Sequence, residues 1–447
     1  MEAKHIVFFI FLFVGVPTAV IMLRSSARLQ SVAFFLLIFS IPFVYSTGIN
    51  FFTDEFYRGT ARGFEFLATD LIGMSIIGFL ISIKAASHFK WNPPGATLYF
   101  IYFTIACIST TNSESLVYSG YELLKMVMMY IFFVAVFNMS LYMRSFKIIL
   151  YSLSALIILN LFWMLVQKYA FFVYQPSGIF PHRNGSAMFS NMIAPVYLSM
   201  MLNSNLTKFD FKLFSLTFGC AATTIVFALS RGAILFFPIA VSIVTLISLL
   251  RGANPRKIKI IAILSVVAVL GIIKAAPMVV ERFEYAPKSS ADGRIELARA
   301  ALNMAQDKFW GVGINNWGIK INPPYTYWEG TGMVREEGYK SGLVETIYMM
   351  TAAECGWIGL FALLMWMGYY YYQNIRNLFR FKDSPLFFLP AGLAGGMTAV
   401  YGQSVLEWIL KQPTNFYQLM IVFAIIAAMK QTYDTYRKSS KSTVRRR

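Results

Sequence analysis

Apolar residues come in long runs, separated by short polar turns, along almost the whole chain. Runs of roughly 18–22 residues match the length an α-helix needs to cross a bilayer. They fall at 6–23, 31–47, 64–83, 96–111, 115–137, 146–166, 186–202, 213–230, 232–250, 258–276, 344–371, 385–403 and 413–430. This pattern predicts an all-α polytopic membrane protein with twelve or thirteen crossings. It divides the chain into an N-terminal helical part (1–276), an outer loop (277–343), a C-terminal helical part (344–430) and a basic tail (431–447). The first run, "HIVFFIFLFVGVPTAVIML", is followed by no small-residue cleavage signature and is expected to stay as a spanning helix.

Composition agrees with that class. Hydrophobic residues make up 57% of the chain and charged ones only 13%, against about a quarter charged in soluble domains. The net charge of +18 is explained by where the basic residues lie. "RSSARLQ", "KAASHFK", "RSFK", "KFDFK", "RGANPRKIK" and "RNLFRFK" recur at alternate turns, and the tail ends "KSSKSTVRRR". Basic turns face the cytoplasm and its anionic headgroups, so no nucleic-acid partner is expected. The other turns, 48–63, 167–185, the corner at 230–232 and the stretch 277–343, then face outward. Cys107, Cys220 and Cys355 sit in apolar runs without metal-ligand spacing and read as packed thiols.

Arg231 is the one charge in the apolar run from Leu213 to Leu250. A guanidinium at bilayer depth costs roughly 2.5–3.5 kcal/mol on insertion scales. The run is too long for one helix, so "SRG" is expected to break it into two spans near the outer surface, with Arg231 either a snorkelling corner residue or a fixed cation for an anionic ligand. Further arginines gather on the outer side: Arg183, Arg282, Arg294, Arg299 and Arg335. Their guanidinium forks suit phosphate oxygens, and a phosphate-bearing lipid is the natural anion there. In the outer stretch, "GRIELARAALNMAQDK" places Ile295, Ala298, Leu302 and Ala305 on one face of a short interfacial helix. "GVGINNWG" follows as a tight turn. Trp310, Trp317, Tyr325, Tyr327 and Trp328 suit either sugar rings or an interfacial belt. Glu122 and Lys125, three apart within a span, form either a functional pair or a structural tie. No Asp-x-Asp pair occurs, which argues against metal-bridged diphosphate chemistry, so neither metal nor other cofactor is expected.

Four stretches in order resemble the O-antigen ligase and polymerase superfamily of bacterial envelopes: "GIFPHRNGSAMF", "FALSRGAIL", "DGRIELARAALNMAQDKFWGVGINNWG" and "VETIYMMTAAECGWIGL". The resemblance implies a metal-independent glycosyltransferase of the C-type membrane fold. Such an enzyme lies in the bacterial inner membrane, works at the periplasmic face and uses glycans on undecaprenyl diphosphate as donor and acceptor. A flippase and a chain-length regulator are its expected partners. Matched residue by residue, Arg231 and Arg294 fall on the family's arginines, and Arg183 and Asn184, with His182 before them, on or beside its polar pre-span element. Where the ligase branch has a His-Asn pair, this chain reads Glu345-Thr346. Glu345 is the candidate base, with Tyr348 on its face and Arg299 and Lys125 as further candidate contacts to diphosphate or glycan. Glu345 also suits the first turn of a helix as a purely structural acid. The missing histidine favours a polymerase of the Wzy type. The rivals are a ligase using Glu345 or His182, and a lipid-linked glycan flippase, which would show inverted repeats.

Overall fold

The computed structural model describes residues 3–83, 89–284, 288–333 and 342–444. His88 and Arg335 lie outside the described residues, as does the side chain of Arg282.

Every apolar run falls mainly on helix. Eight helices among the described residues are long and apolar enough to cross a membrane: Lys4–Ser25, Leu116–Met143, Lys147–Tyr169, Lys208–Ala228, Arg231–Leu250, Ile347–Arg380, Pro385–Gln403 and Pro413–Arg437. The remaining expected spans differ for physical reasons. Those at 31–47, 64–83 and 96–111 hold helices of only 13, 15 and 14 residues (Ala27–Phe39, Ala68–Ser82 and Ala96–Ser109), short of the roughly 20 a straight crossing needs. Arg183–Asn203 is long enough but carries Arg183, Asn184, Ser190 and Asn191 along its length. Pro255–Glu284 continues well past the expected end at 276. The last helix likewise runs on to Val444, so the basic tail begins as helix. One element was not legible as such: Ile49–Phe51 and Phe64–Phe66 pair antiparallel, with Asn50 opposite Glu65.

The chain forms two compact units, each discontinuous in sequence. The first comprises Met1–Ser152, Gly293–Tyr370 and Lys411–Arg447. Its centre is Leu116–Met143, packed on Ala68–Ser82 and on Pro413–Val444. Aromatic contacts fill the space between helices: Tyr370 stacks on Phe423 at 3.9 Å between ring centres, and Trp366 meets Phe423 edge-on at 5.1 Å.

The second unit comprises Leu153–Asp292 and Tyr371–Leu410. Its core is Arg183–Asn203, buried almost throughout. Phe388–Gln403 lies on it through glycines: a Cβ at Gly396 would come 2.0 Å from the Met192 carbonyl oxygen, and one at Gly392 2.4 Å from Val196 Cα. Gly395, on another side of the same helix, faces the Ala240 backbone of Arg231–Leu250 in the same way, at 2.6 Å. Small residues let helix backbones touch where lipid offers no hydrophobic drive.

Candidate functional site

In the first unit the outer stretch is organised by "GVGINN". Gly311 and Gly313 take positive φ (78° and 102°), a conformation open to glycine at no steric cost. This brings the Val312 and Gly313 N–H groups onto the Ala353 and Glu354 carbonyls at 2.8 and 3.1 Å. Those carbonyls are available because Ile347–Arg380 is broken at Gly356, whose φ of 70° and ψ of 179° leave the helix. A Cβ at Gly356 would fall 2.0 Å from the Phe309 carbonyl oxygen. The expected turn is therefore a plug seated in a broken helix.

Two buried asparagines lock that plug. Asn315 Oδ1 accepts from the Thr60 N–H (2.8 Å) and hydroxyl (3.1 Å), while its Nδ2 donates to the Ala61 and Tyr118 carbonyls. Asn316 Oδ1 accepts from the Ser115 N–H at 2.9 Å, and its Nδ2 donates to Ser119 Oγ at 2.9 Å. Next to them are two buried ion pairs, Lys125–Glu122 at 2.6 Å and Lys411–Glu354 at 3.0 Å. The pairs are tied together: Lys125 Nζ donates to the Lys411 carbonyl at 3.1 Å, and Thr60 Oγ1 donates to Glu122 at 2.7 Å. Two cations and two anions cancel, which is how charges survive burial. Lys125 is thus joined to Glu122 inside the fold, a pairing common to the functional and the structural reading.

A small cavity of about 30 Å³ adjoins this network, lined by Thr60, Glu65, Asp70, Tyr121, Lys125 and Tyr417 among others. That volume is enough for a water molecule.

The same plug positions Glu345. Fully buried Trp317 donates its indole N–H to the Gly342 carbonyl at 3.1 Å, and Val344 and Ile347 are buried on either side of Glu345. Glu345 lies two residues before the helix that starts at Ile347, rather than in its first turn. Its carboxylate pairs with Arg294, from the helix Lys288–Asp307. Two sequence-level candidates are therefore bonded to each other. Arg294 Nε is buried with no hydrogen-bond partner. Arg299, one turn on, donates to the Thr331 carbonyl at 3.2 Å and fastens the loop. Tyr348 is the second residue of its helix and partly buried.

The face of Lys288–Asp307 is rotated from the expected one. Ala300, Ala301, Met304 and Ala305 are buried, whereas Ile295 is 53% exposed. Alanines pack inward here beside Met304, so Ile295 does not mark the buried side. The loop tyrosines turn their hydroxyls onto nearby acids: Tyr327 donates to Asp307 at 2.6 Å, and Tyr325 to Glu114. The Tyr325 bond, followed by Lys320, holds the Glu114 carboxyl below its usual range.

In the second unit the break before Arg231 is as expected. Leu229 takes a left-handed conformation (φ 48°) and ends Lys208–Ala228; Ser230 caps Arg231–Leu250, its Oγ accepting from the Ala233 N–H at 3.4 Å. Arg231 is the first residue of its helix and partly buried. Arg183 opens the other helix, Arg183–Asn203, and His182 caps it, its Nδ1 accepting from the Asn184 N–H at 3.2 Å. Glu407, which the sequence reading passed over, reaches the Ser230 corner at 2.9 Å. Glu354, Lys411 and Glu407 were each visible as isolated charges in or beside apolar runs, the signal that could have found them. Among the described residues no three His, Cys, Asp or Glu side chains gather as a metal-ligand set. The cysteines are free, Cys220 and Cys355 buried and Cys107 partly so.

These features define an all-α polytopic membrane protein whose first unit buries two ion pairs, Lys125–Glu122 and Lys411–Glu354. Residues 216–364, which carry Arg231, Arg294, Glu345 and Glu354, match the model of the O-antigen ligase family. The match supports the O-antigen ligase and polymerase superfamily, the one that the four sequence motifs resemble, and with it an enzyme of glycosyltransferase type. No curated protein matches the chain.

Proposed function

We propose that the protein is a Wzy-type polysaccharide polymerase. It moves a growing glycan from undecaprenyl diphosphate to the end of a lipid-linked repeat unit at the periplasmic face of the inner membrane, toward exopolysaccharide, capsule or O-antigen. The observation that carries this reading is the Arg294–Glu345 pair, which lies within the stretch matched to the family. An acid bonded to a guanidinium stands where the ligase branch is expected to hold histidine, and that difference favours the polymerase over the ligase.

In the reaction the acceptor hydroxyl oxygen bonds to the anomeric carbon as the carbon–oxygen bond to the diphosphate breaks. The bonding electrons stay on the phosphate oxygen, and Glu345 takes the hydroxyl proton. Arginine suits the departing diphosphate because its fork binds two oxygens and its charge meets the charge that develops. Arg294 is one candidate for that task; Arg231, with Arg183, Asn184 and His182, is the other. Tyr348 would contact glycan.

The test is the glycan and lipid-linked sugar profile of a strain lacking the protein. Single repeat units accumulating on lipid without polymer support the polymerase. Long polymer stranded on lipid, never reaching a final acceptor, would show a ligase instead.

A further inference from the structure

Glu407 is 4% exposed yet carries a carboxylate. Ser230 Oγ donates to its Oε1 at 2.9 Å and Gln403 Nε2 to its Oε2 at 3.0 Å. Gln403 is in turn fixed by Asn191, whose Nδ2 donates to Gln403 Oε1 at 3.0 Å and to the Ala233 carbonyl at 3.3 Å. A Cβ added at Gly232 would lie 3.1 Å from Gln403 Cγ and 3.4 Å from Glu407 Oε1. The carboxylate is thus pressed against the residues on both sides of Arg231, in the first turn of a 20-residue helix.

That turn is where an anion is held most strongly. The helix dipole supplies partial positive charge, and a guanidinium at the first helical position adds a full one. The chain has nevertheless built a fixed anion into the same turn. We propose that Glu407 is a positioning residue and counter-charge for Arg231: it holds the Ser230–Arg231 turn and weakens the grip of the corner on diphosphate. The proposal rests on the reading above and, of its two candidates, takes Arg231 as the cation that meets the lipid diphosphate.

A counter-charge matters because of what the reaction does to the ligand. The donor is a diphosphate esterified at both ends. When the bond to the anomeric carbon breaks, the electrons remain on phosphate oxygen and the released undecaprenyl diphosphate carries more negative charge. A purely cationic corner would therefore hold the product more tightly than the donor. A carboxylate in the turn repels the more charged species more, which favours release.

The test uses the full chain in nanodiscs of phosphatidylethanolamine and phosphatidylglycerol, with radiolabelled undecaprenyl diphosphate as the probe. Glu407→Gln, nearly isosteric and neutral, is expected to bind the probe at least of order tenfold tighter, the effect of one unit charge on each unit of ligand charge about 10 Å away at an effective dielectric of about 20. Glu407→Asp keeps the charge and should stay near wild type. Tighter binding is a result that mere loss of a structural contact would not give. Unchanged or weaker binding by a Glu407→Gln protein of normal melting temperature overturns the proposal. If Glu407→Gln does not fold, Gln403→Glu applies the opposite perturbation; a second carboxylate should weaken binding, and an unchanged affinity overturns the proposal. Arg231→Ala separates the two readings. Lost binding there with no effect of Glu407→Gln refutes the counter-charge alone, whereas undiminished binding in Arg231→Ala refutes the counter-charge together with the diphosphate role of the Arg231 corner and leaves Arg294 for that task.

Discussion

Replacing Glu345 by Gln separates a chemical acid from a structural one, because the two roles differ by orders of magnitude. The Arg294 and Glu345 side chains are 29% and 40% exposed. Ion pairs this open to solvent contribute about 0.5–1 kcal/mol, so losing the pair should lower stability by no more than that. It should also leave Arg294 freer for an anion, and 1 kcal/mol corresponds to at most about a fivefold gain in affinity for undecaprenyl diphosphate. A general base, by contrast, accounts for about 10²–10⁴ in rate. Glu345→Gln is therefore expected to lose at least about a hundredfold in polymer formation while binding the lipid as well as wild type or slightly better. The assay pairs polymer yield in a complemented deletion strain, at matched membrane abundance, with lipid binding by the purified protein. A drop in polymer of fivefold or less, in step with a small loss of stability, would refute the base and leave Glu345 as half of a surface ion pair.

Arg231→Ala should abolish polymer without reducing insertion, measured as abundance in the membrane fraction; retained polymer would remove the diphosphate role of that corner. Transfer should survive chelation by EDTA, and inhibition reversed by added divalent cation would show that a metal takes part. Gly356→Ala should destabilise the first unit by about 3 kcal/mol or more, since a Cβ would collide with the Phe309 carbonyl in a strained backbone conformation. A melting temperature equal to wild type would contradict the seating of the 311–316 plug in the helix break.

Much of the fold was legible because bilayer crossing leaves a long local signature. Each apolar run landed mainly on helix, and the Ser230 break was visible as one polar corner in a run too long for a single span. The Glu122–Lys125 pair was legible for the same reason: it lies three residues apart on one helix. The Lys411–Glu354 pair spans 57 residues and Glu407–Ser230 spans 177, and no periodicity records a partner at such distances. The hairpin at 49–66 was hidden because its strands are three residues each and the second runs directly into an apolar helix. At the candidate site, arginine and glutamate could be named from motifs, but their bond to each other could not. The helix break was likewise invisible, since glycines inside a membrane helix usually serve only close packing.

The interleaving of the two units has a consequence for how the protein is made. The first unit needs Lys411–Arg447 as well as Met1–Ser152 and Gly293–Tyr370, and its neutral quartet needs residues from 122 to 411. A ribosome that has threaded Glu122 and Lys125 into the membrane must add 286 residues beyond Lys125 before Lys411 arrives. Until then Glu354 waits in the translocating chain without its cation, on a helix that the bilayer accepts only grudgingly. The neutral quartet therefore closes only once Lys411 has been made, and a polypeptide cut short before 411 would leave Glu354 an uncompensated acid.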